Sequence, residues 1–401
     1  MRRGIAAAFE PTIDWPAVRA RYPAANEQTY LNVGSKSILS NAAGEAARAA
    51  LDLTWRGTDK KSSDNEPYLR EVRGRFASII GAQADDVAIT KNVTEGLNAV
   101  ASGLRWSAGD NVVLCAALEH PNNIYAWLAL RERGVELRTV EPRNDAIDAA
   151  AMTAAIDRRT RVVSASSVSF TPGFRTDLAA IGRECQRAGA MFVVDGVQST
   201  GVLELNVDMA LVDALATSTS KGLLGVPGLG FLYVRRSWAE QLTPASIGRY
   251  SVVRSGHQSE IESFDYRLLG DARRFEAGNY NWIGLATAHA SMEELLDVGV
   301  ASIEEHATTL ARSLAIGLRE RGFMVSQPPR ESLPSHLVTV GQLGSGSAYS
   351  TDDPKLSRFA AALEAGNVNF SVRRGLLRFG LHCYNDASDV AKVLAVADDV
   401  G

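Results

Sequence analysis

Residues Met191-Phe-Val-Val-Asp-Gly-Val-Gln-Ser199 form an apolar run that ends on an acid and opens into a turn. A continuous apolar run of this length reads as a strand buried on both faces, the habit of parallel sheets. An acid at the C-terminal end of such a strand is where open α/β sheets place ligand-binding groups. Comparable runs lie upstream at residues 87–90, 111–115, 137–140 and 161–167, and downstream at 230–234. Helical patterns separate them: Leu97, Val100, Ala101 and Leu104 share one helical face, as do Ile124, Trp127 and Leu128. Residues 149–158 and 177–188 fill further crossovers. This alternation predicts an α/β domain with a mostly parallel sheet.

The texture changes after about residue 270. Two long helical patterns, near 284–298 and 301–321, precede strands near 336–340, 369–372 and 376–380 and helices near 355–364 and 387–397. That reads as a smaller α+β domain. Residues 56–67 and 341–353 are polar or rich in Gly, Ser and Asp and are expected to be loops.

Bulk properties narrow the function classes. At 46% hydrophobic and 22% charged, the 401-residue chain has the composition of a soluble globular protein. A net charge of −4 gives no reason to expect nucleic acid or an anionic membrane surface as partner. No apolar run approaches the roughly 20 residues that span a bilayer, and the apolar stretch at residues 5–9 is too short for a signal-peptide core. A cytoplasmic protein is expected. The cysteines, Cys115, Cys185 and Cys383, are odd in number and widely spaced, which suggests neither a disulfide framework nor a zinc site. Lysine occurs only at positions 36, 60, 61, 91, 221, 355 and 392, so the list of candidate lysine nucleophiles is short.

Lys221 stands out among them. It follows Thr217-Ser-Thr-Ser and precedes the Gly-rich turn Gly222-Leu-Leu-Gly-Val-Pro-Gly-Leu-Gly230. A lysine with so few polar neighbours is desolvated, and a desolvated amine is suited to Schiff-base chemistry; the alternative is an ordinary loop lysine. Asp195 lies 26 residues earlier. A carboxylate there can keep a pyridine nitrogen protonated, as pyridoxal 5′-phosphate (PLP) requires; a helix cap or a metal ligand is the other reading. Gln198 would lie beside it. In Ile89-Thr-Lys-Asn-Val-Thr-Glu-Gly96 a strand turns into a helix at Thr94, and helix N-termini bind phosphate, although such a threonine also serves as a plain cap. His120, in Glu119-His-Pro-Asn-Asn-Ile-Tyr125, follows another strand and is placed for ring stacking and proton transfer, or is structural. Arg378 sits in an apolar strand and needs an anion, either a substrate carboxylate or an internal acid.

Taken together and in this order, these segments resemble the class V aminotransferase family of fold-type I PLP-dependent enzymes. The pattern is closest to its cysteine desulfurase, selenocysteine lyase and isopenicillin-N epimerase-like branches. The resemblance runs from Tyr30-Leu-Asn-Val-Gly34 to Tyr384-Asn-Asp386. It implies an α/β large domain with a mostly parallel seven-stranded sheet and a smaller α+β C-terminal domain. The implied division is an N-terminal arm (1–28) packing with the small domain, a large PLP-binding domain (29–270) and the small domain (271–401). By the same likeness Lys221 carries the cofactor, Asp195 partners the pyridine nitrogen, Gln198 contacts the ring hydroxyl and His120 stacks on the ring. Val93, Thr94, Ser218 and Ser220 hold the phosphate. The segment Phe275-Glu-Ala-Gly-Asn279 matches one that reaches the phosphate of a neighbouring subunit, which implies a homodimer with Asn279 in a shared site. Arg378 matches the arginine that binds the substrate α-carboxylate, with Arg373 a second candidate. Asn32, Tyr125 and Phe170 would line the substrate pocket.

Departures from the family pattern bear on the reaction. Ser220 stands where desulfurases have histidine, Asn279 replaces a threonine, and Phe170 replaces an asparagine. The loop 341–353 has no cysteine, and Val372-Arg-Arg-Gly375 runs straight into Leu376-Leu-Arg378, so both positions of a persulfide cysteine are missing. Cys383 does not match either. The leading expectation is therefore β-elimination from a small cysteine-type amino acid, a carbon–sulfur lyase without sulfur relay, with Tyr125 or His382 as candidate proton donor. Racemisation or epimerisation and transamination are the alternatives. A non-catalytic PLP-fold protein is disfavoured by the intact Lys221, Asp195 and His120.

Overall fold

The computed structural model describes residues 13–58, 65–253, 265–329 and 332–400. Residues 1–12 of the expected arm (1–28) and the centre of the 56–67 loop (59–64) lie outside the described residues. The described chain begins with short helices Trp15–Ala20 and Pro23–Glu27 and the two-residue strand β1 (Thr29–Tyr30). Arg19 anchors this entry by ion pairs to Asp389 (2.6 Å) and Asp386 (3.4 Å) at the start of the last helix, Ala387–Val400.

The central sheet has seven strands: β2 (Val87–Thr90), β3 (Asn111–Leu114), β4 (Glu136–Thr139), β5 (Thr160–Ser166), β6 (Met191–Asp195), β7 (Ala214–Ser218) and β8 (Gly230–Val234). Their order is β2-β8-β7-β6-β5-β3-β4. The pairs among β3 to β7 are parallel; β8 runs antiparallel to β7 and β2 because it returns from β7 directly. Side chains of β6 alternate between two cores, with Phe192 and Val194 in one and Met191 and Val193 in the other, as the two-residue period of a strand dictates. That double burial is why the run lacks polar residues before Asp195. The preceding helix, Leu178–Ala188, starts where Asp177 caps Ala180 N–H and stops at Gly189 (φ +70°).

Some sequence expectations are refined. β7 was not among the apolar runs, since Ala-Leu-Ala-Thr-Ser carries little bulk; it is a strand because β6 and β8 pair with both its edges. The helix expected at 149–158 is shorter, Ala149–Ala154. Beyond the sheet, β9 (Leu337–Val340) is followed by β10 (Val368–Asn369), β11 (Ser371–Arg373) and β12 (Leu376–Gly380). The single strand expected at 369–372 is thus two: β10 pairs parallel with β1, whereas β11 pairs with β12, which also pairs with β9. The two expected long helices are Trp282–Val298 and Val300–Glu320. The first packs on helices Asn41–Trp55 and Glu66–Ile80, which sequence periodicity had not singled out. Among the described residues no helix is long and apolar enough to cross a membrane.

Candidate active site

Because β5, β6 and β7 run parallel, their last residues, Ser166, Asp195 and Ser218, meet at one edge of the sheet. A cavity of about 280 Å³ lies outside these ends, where α/β sheets place ligands. Val93, Thr94, His120 and Gln198 line it together with Asp195, and so do Ser218, Ser220, Lys221 and Phe170. Eight positions expected to bind cofactor, scattered over 129 residues of sequence, therefore share one cavity.

Lys221 stands on the turn from β7 to β8, and that turn is clamped from several sides. Thr219 Oγ1 donates to Val226 O (2.6 Å), Ser37 N–H donates to Ser220 O (2.8 Å), and His382 Nε2 lies 2.9 Å from Gly222 O. A Cβ on Gly222 would come within 2.4 Å of Thr200 O, so only glycine lets the turn rest on the segment that follows Asp195. Burial pushes the Lys221 amine down to about 8; Arg378 and Arg373 add to this while Asp195 opposes it.

Asp195 is buried and accepts Val197 N–H at 2.9 Å. Burial raises its carboxyl above the usual carboxylate range, and Lys221 pulls against this. Gln198 donates to Gly34 O (3.0 Å), which leaves its Oε1 buried without a donor. His120 caps helix Pro121–Leu128 by accepting Asn122 N–H at Nδ1 (3.2 Å), and Phe170 meets its ring edge-on at 4.9 Å. Burial, with Lys221 and the arginines, lowers its basicity, which favours the neutral imidazole. At the start of helix Val93–Gly103, Asn92 caps Glu95 N–H (2.9 Å) and Ser218 Oγ accepts Val93 N–H (2.9 Å). Thr94, in the first turn of the same helix, lines the cavity, and first-turn amides have no partner within their own helix.

A second cluster adjoins this one. Arg378 on β12 is only 1% exposed and donates to Ser371 Oγ (3.2 Å), Phe170 O (2.9 Å) and Ser35 Oγ (2.9 Å). The internal salt bridge considered for it is not made among the described residues. Arg373 on β11 also reaches Ser35 Oγ (2.9 Å) and packs over the Tyr349 ring at 5.0 Å. Asn32 bonds Asn369 (2.8 Å) while its own Oδ1 is buried without a partner. Gly34 packs closely against Leu337 and Arg378: a Cβ there would lie 3.1 Å from Leu337 Cδ2 and 3.4 Å from the guanidinium.

Three expected residues stand elsewhere. Tyr125 is 63% exposed on the outer face of its helix, whose inner face buries Asn123, Ala126 and Trp127. Asn279 is exposed and does not line this chain's cavity; its amide oxygen lies 3.5 Å from Tyr250 Oη. His382 is corrected as a proton donor: it is fully buried, Nδ1 accepts Cys383 N–H (2.8 Å), and Nε2 serves Gly222 O. Two residues had been passed over. Glu119 is buried beneath the cavity, bound by Ser166 N–H (2.7 Å), the Ser166 hydroxyl and Asn123 (2.6 Å). Burial and the Asp195 charge push its carboxyl up to about 7, against those hydrogen bonds. Ser35 follows the Tyr30–Gly34 motif by one residue. Proximity to a motif was the only signal for either.

The family model for class V aminotransferases matches residues 42–393. The chain belongs to the class V aminotransferase family. Its similarity to a protein named a probable cysteine desulfurase from Methanothermobacter thermautotrophicus is 34% identity over 268 residues, 67% of this chain and 63% of that relative's length. The fold matches an apo cysteine desulfurase from Thermococcus onnurineus (TM-score 0.81, 24% identity, 97% and 98% of the two chains). It equally matches a cystine C–S lyase in complex with its reaction product cysteine persulfide (TM-score 0.82, 24% identity, 94% and 99%). The expected family, α/β fold and PLP-dependent enzyme class are thereby borne out. The cofactor of this class V enzyme is pyridoxal 5′-phosphate, and the cavity fits it. It offers a partly deprotonated lysine, a buried carboxyl, the buried acceptor of Gln198 that lacks a donor, and an open helix N-terminus.

Proposed function

We propose that this class V enzyme cleaves the carbon–sulfur bond of a cysteine-type amino acid by β-elimination, without a protein persulfide. The observation that carries this reading is the state of the thiols. Cys115, Cys185 and Cys383 are all buried, and none lines the cavity. Burial pushes the Cys115 thiol up to about 11 and the Cys383 thiol to about 12, the reverse of what a sulfur acceptor needs. The relative named a probable cysteine desulfurase supports carbon–sulfur chemistry at this site.

In this reading Lys221 carries the cofactor, Asp195 holds the proton on its pyridine nitrogen, Gln198 accepts from its ring hydroxyl and His120 covers its ring. Val93, Thr94, Ser218 and Ser220 receive the phosphate. When bound, PLP supplies an electrophilic carbonyl for the substrate amine and a ring that accepts electrons from the α-carbon. Arg378 fixes the substrate α-carboxylate by paired hydrogen bonds. Lys221 Nζ removes the α-proton, which an amine poised near neutrality does well. The α C–H and Cβ–S bonds break, the proton taken by Lys221 returns to the leaving sulfur, and one water hydrolyses the released enamine, so that the products are a thiol, pyruvate and ammonia. Asn279, exposed at the surface, completes the phosphate site of a second copy in a homodimer.

The test is product analysis with L-cysteine and simple S-substituted cysteines. Equal amounts of thiol, pyruvate and ammonia support the lyase. A side-chain-retaining keto acid without ammonia, or loss of optical rotation without pyruvate, sinks it in favour of transamination or racemisation.

A further inference from the structure

Arg373 and Arg378 converge on one atom. Each places a guanidinium nitrogen 2.9 Å from Ser35 Oγ. A hydroxyl oxygen has two lone pairs, so both are occupied, and the Ser35 O–H is left as a donor with no acceptor among the described residues. Neither arginine has a carboxylate within ion-pair distance among the described residues. The remaining partners of Arg378 are Ser371 Oγ, Phe170 O and the face of the Phe170 ring, and those of Arg373 are Val372 O and the face of Tyr349. None of these is anionic.

A guanidinium does not shed its proton in a protein. Two positive charges, one fully buried and one half-buried, therefore stand together uncompensated, and Lys221 feels both. The buried acids of the site, Asp195 and Glu119, are bound instead to Val197 and Ser166. A single α-carboxylate neutralises one of the two arginines. The other is left without an anion, and the shared Ser35 hydroxyl holds the two guanidinium groups close enough for one small molecule to span them.

We propose that Arg373 recognises an acidic group on the substrate side chain, so that the substrate is a cysteine-type amino acid whose sulfur substituent ends in a carboxylate. The assignment rests on the proposed lyase reading for the position of the α-carboxylate at Arg378. Ser35 then sets the spacing of the two guanidinium groups and donates its hydroxyl hydrogen to the bound acid.

The test compares two isosteric ligands, S-carboxymethyl-L-cysteine and its neutral amide, S-carbamoylmethyl-L-cysteine. Binding to the holoenzyme is read from its visible absorbance, with pyruvate release recorded in the same titration. The wild type should bind the acid about tenfold or more tightly than the amide, the worth of one charge-assisted hydrogen bond. R373Q should bring that ratio close to one, and R373K should keep part of it. A wild-type ratio near one, or a ratio unchanged in R373Q, overturns the proposal; if R373Q does not fold, the wild-type ratio and R373K decide. Preference for the acid without pyruvate leaves this inference standing and removes the lyase reading. Pyruvate from both ligands without preference does the reverse.

Discussion

The Nε2 atom of His382 lies 2.9 Å from the carbonyl oxygen of Gly222, the residue directly after Lys221. Since Nδ1 accepts the Cys383 amide, Nε2 carries the hydrogen and donates it. Burial lowers the basicity of this ring to about 4, so it stays neutral and the bond persists at physiological pH. Replacing His382 with Leu leaves a buried carbonyl unpaired beside the lysine. The expected cost is about 1–3 kcal/mol in urea unfolding, with weaker retention of cofactor. Unchanged unfolding and unchanged cofactor affinity would show that the contact does not hold the turn.

Lys221 itself should reveal its buried environment through the rate at which apo-protein takes up cofactor. The free amine is the reactive form. The rate is therefore expected to rise with pH up to about 8 and then level off, well below the range of an exposed lysine. Borohydride should fix one cofactor to the Lys221 peptide and none in K221A. A rate still climbing at pH 10, or label on another lysine, contradicts the assignment.

Glu119 predicts a pH-dependent stability difference. Its carboxyl takes a proton more readily in the folded protein (about 7) than in the unfolded chain (about 4.5). The native state then binds more protons between these values, so its stability falls as pH rises through that window. E119Q removes the titration. The unfolding free energy of wild type minus E119Q should decline from about pH 4.5 to about pH 7 and be flat above; a difference that stays constant or grows would place the proton elsewhere.

In the proposed reading Arg378 serves substrate binding at the expense of stability. Its charge is buried with no acid against it, and burial and Arg373 both press on it. Arg378→Met should weaken substrate binding on the order of 100-fold, the cost of a lost paired carboxylate contact. Removing the unpaired buried charge offsets part of the stability cost, so the loss of its bonds to Ser371 Oγ, Phe170 O and Ser35 Oγ should lower the unfolding free energy by no more than about 1–3 kcal/mol. A large fall in Tm with unaltered affinity would mean that Arg378 is structural.

Much of this site was legible before any coordinates. Asp195, Lys221, His120 and Thr94 could be found because each sits where an apolar run breaks, and loop ends at one sheet edge must converge. Gln198 follows from its place beside Asp195, and Ser218 only from the family resemblance. Strand β7 escaped notice because Ala214–Ser218 has neither bulk nor alternation; only its two flanking strands make it one. Tyr125 and His382 were misjudged for the opposite reason. Residue type and proximity to a motif suggested chemistry, but helix phase turns Tyr125 outward and local hydrogen bonds occupy both nitrogens of His382.

The sequence by itself determined the alternation of strands and helices, the double-sided burial of the Asp195 strand and the lysine at a glycine-rich turn, because these follow from periodicity and from what burial permits. Only the tertiary structure decided what lies beneath and beside them. Glu119 reaches Ser166 across 47 residues, and Arg373 and Arg378 reach Ser35 across more than 300. Such pairings depend on strand order and register, which leave no local signal in the chain, and they settle which charges meet a counter-charge and which do not.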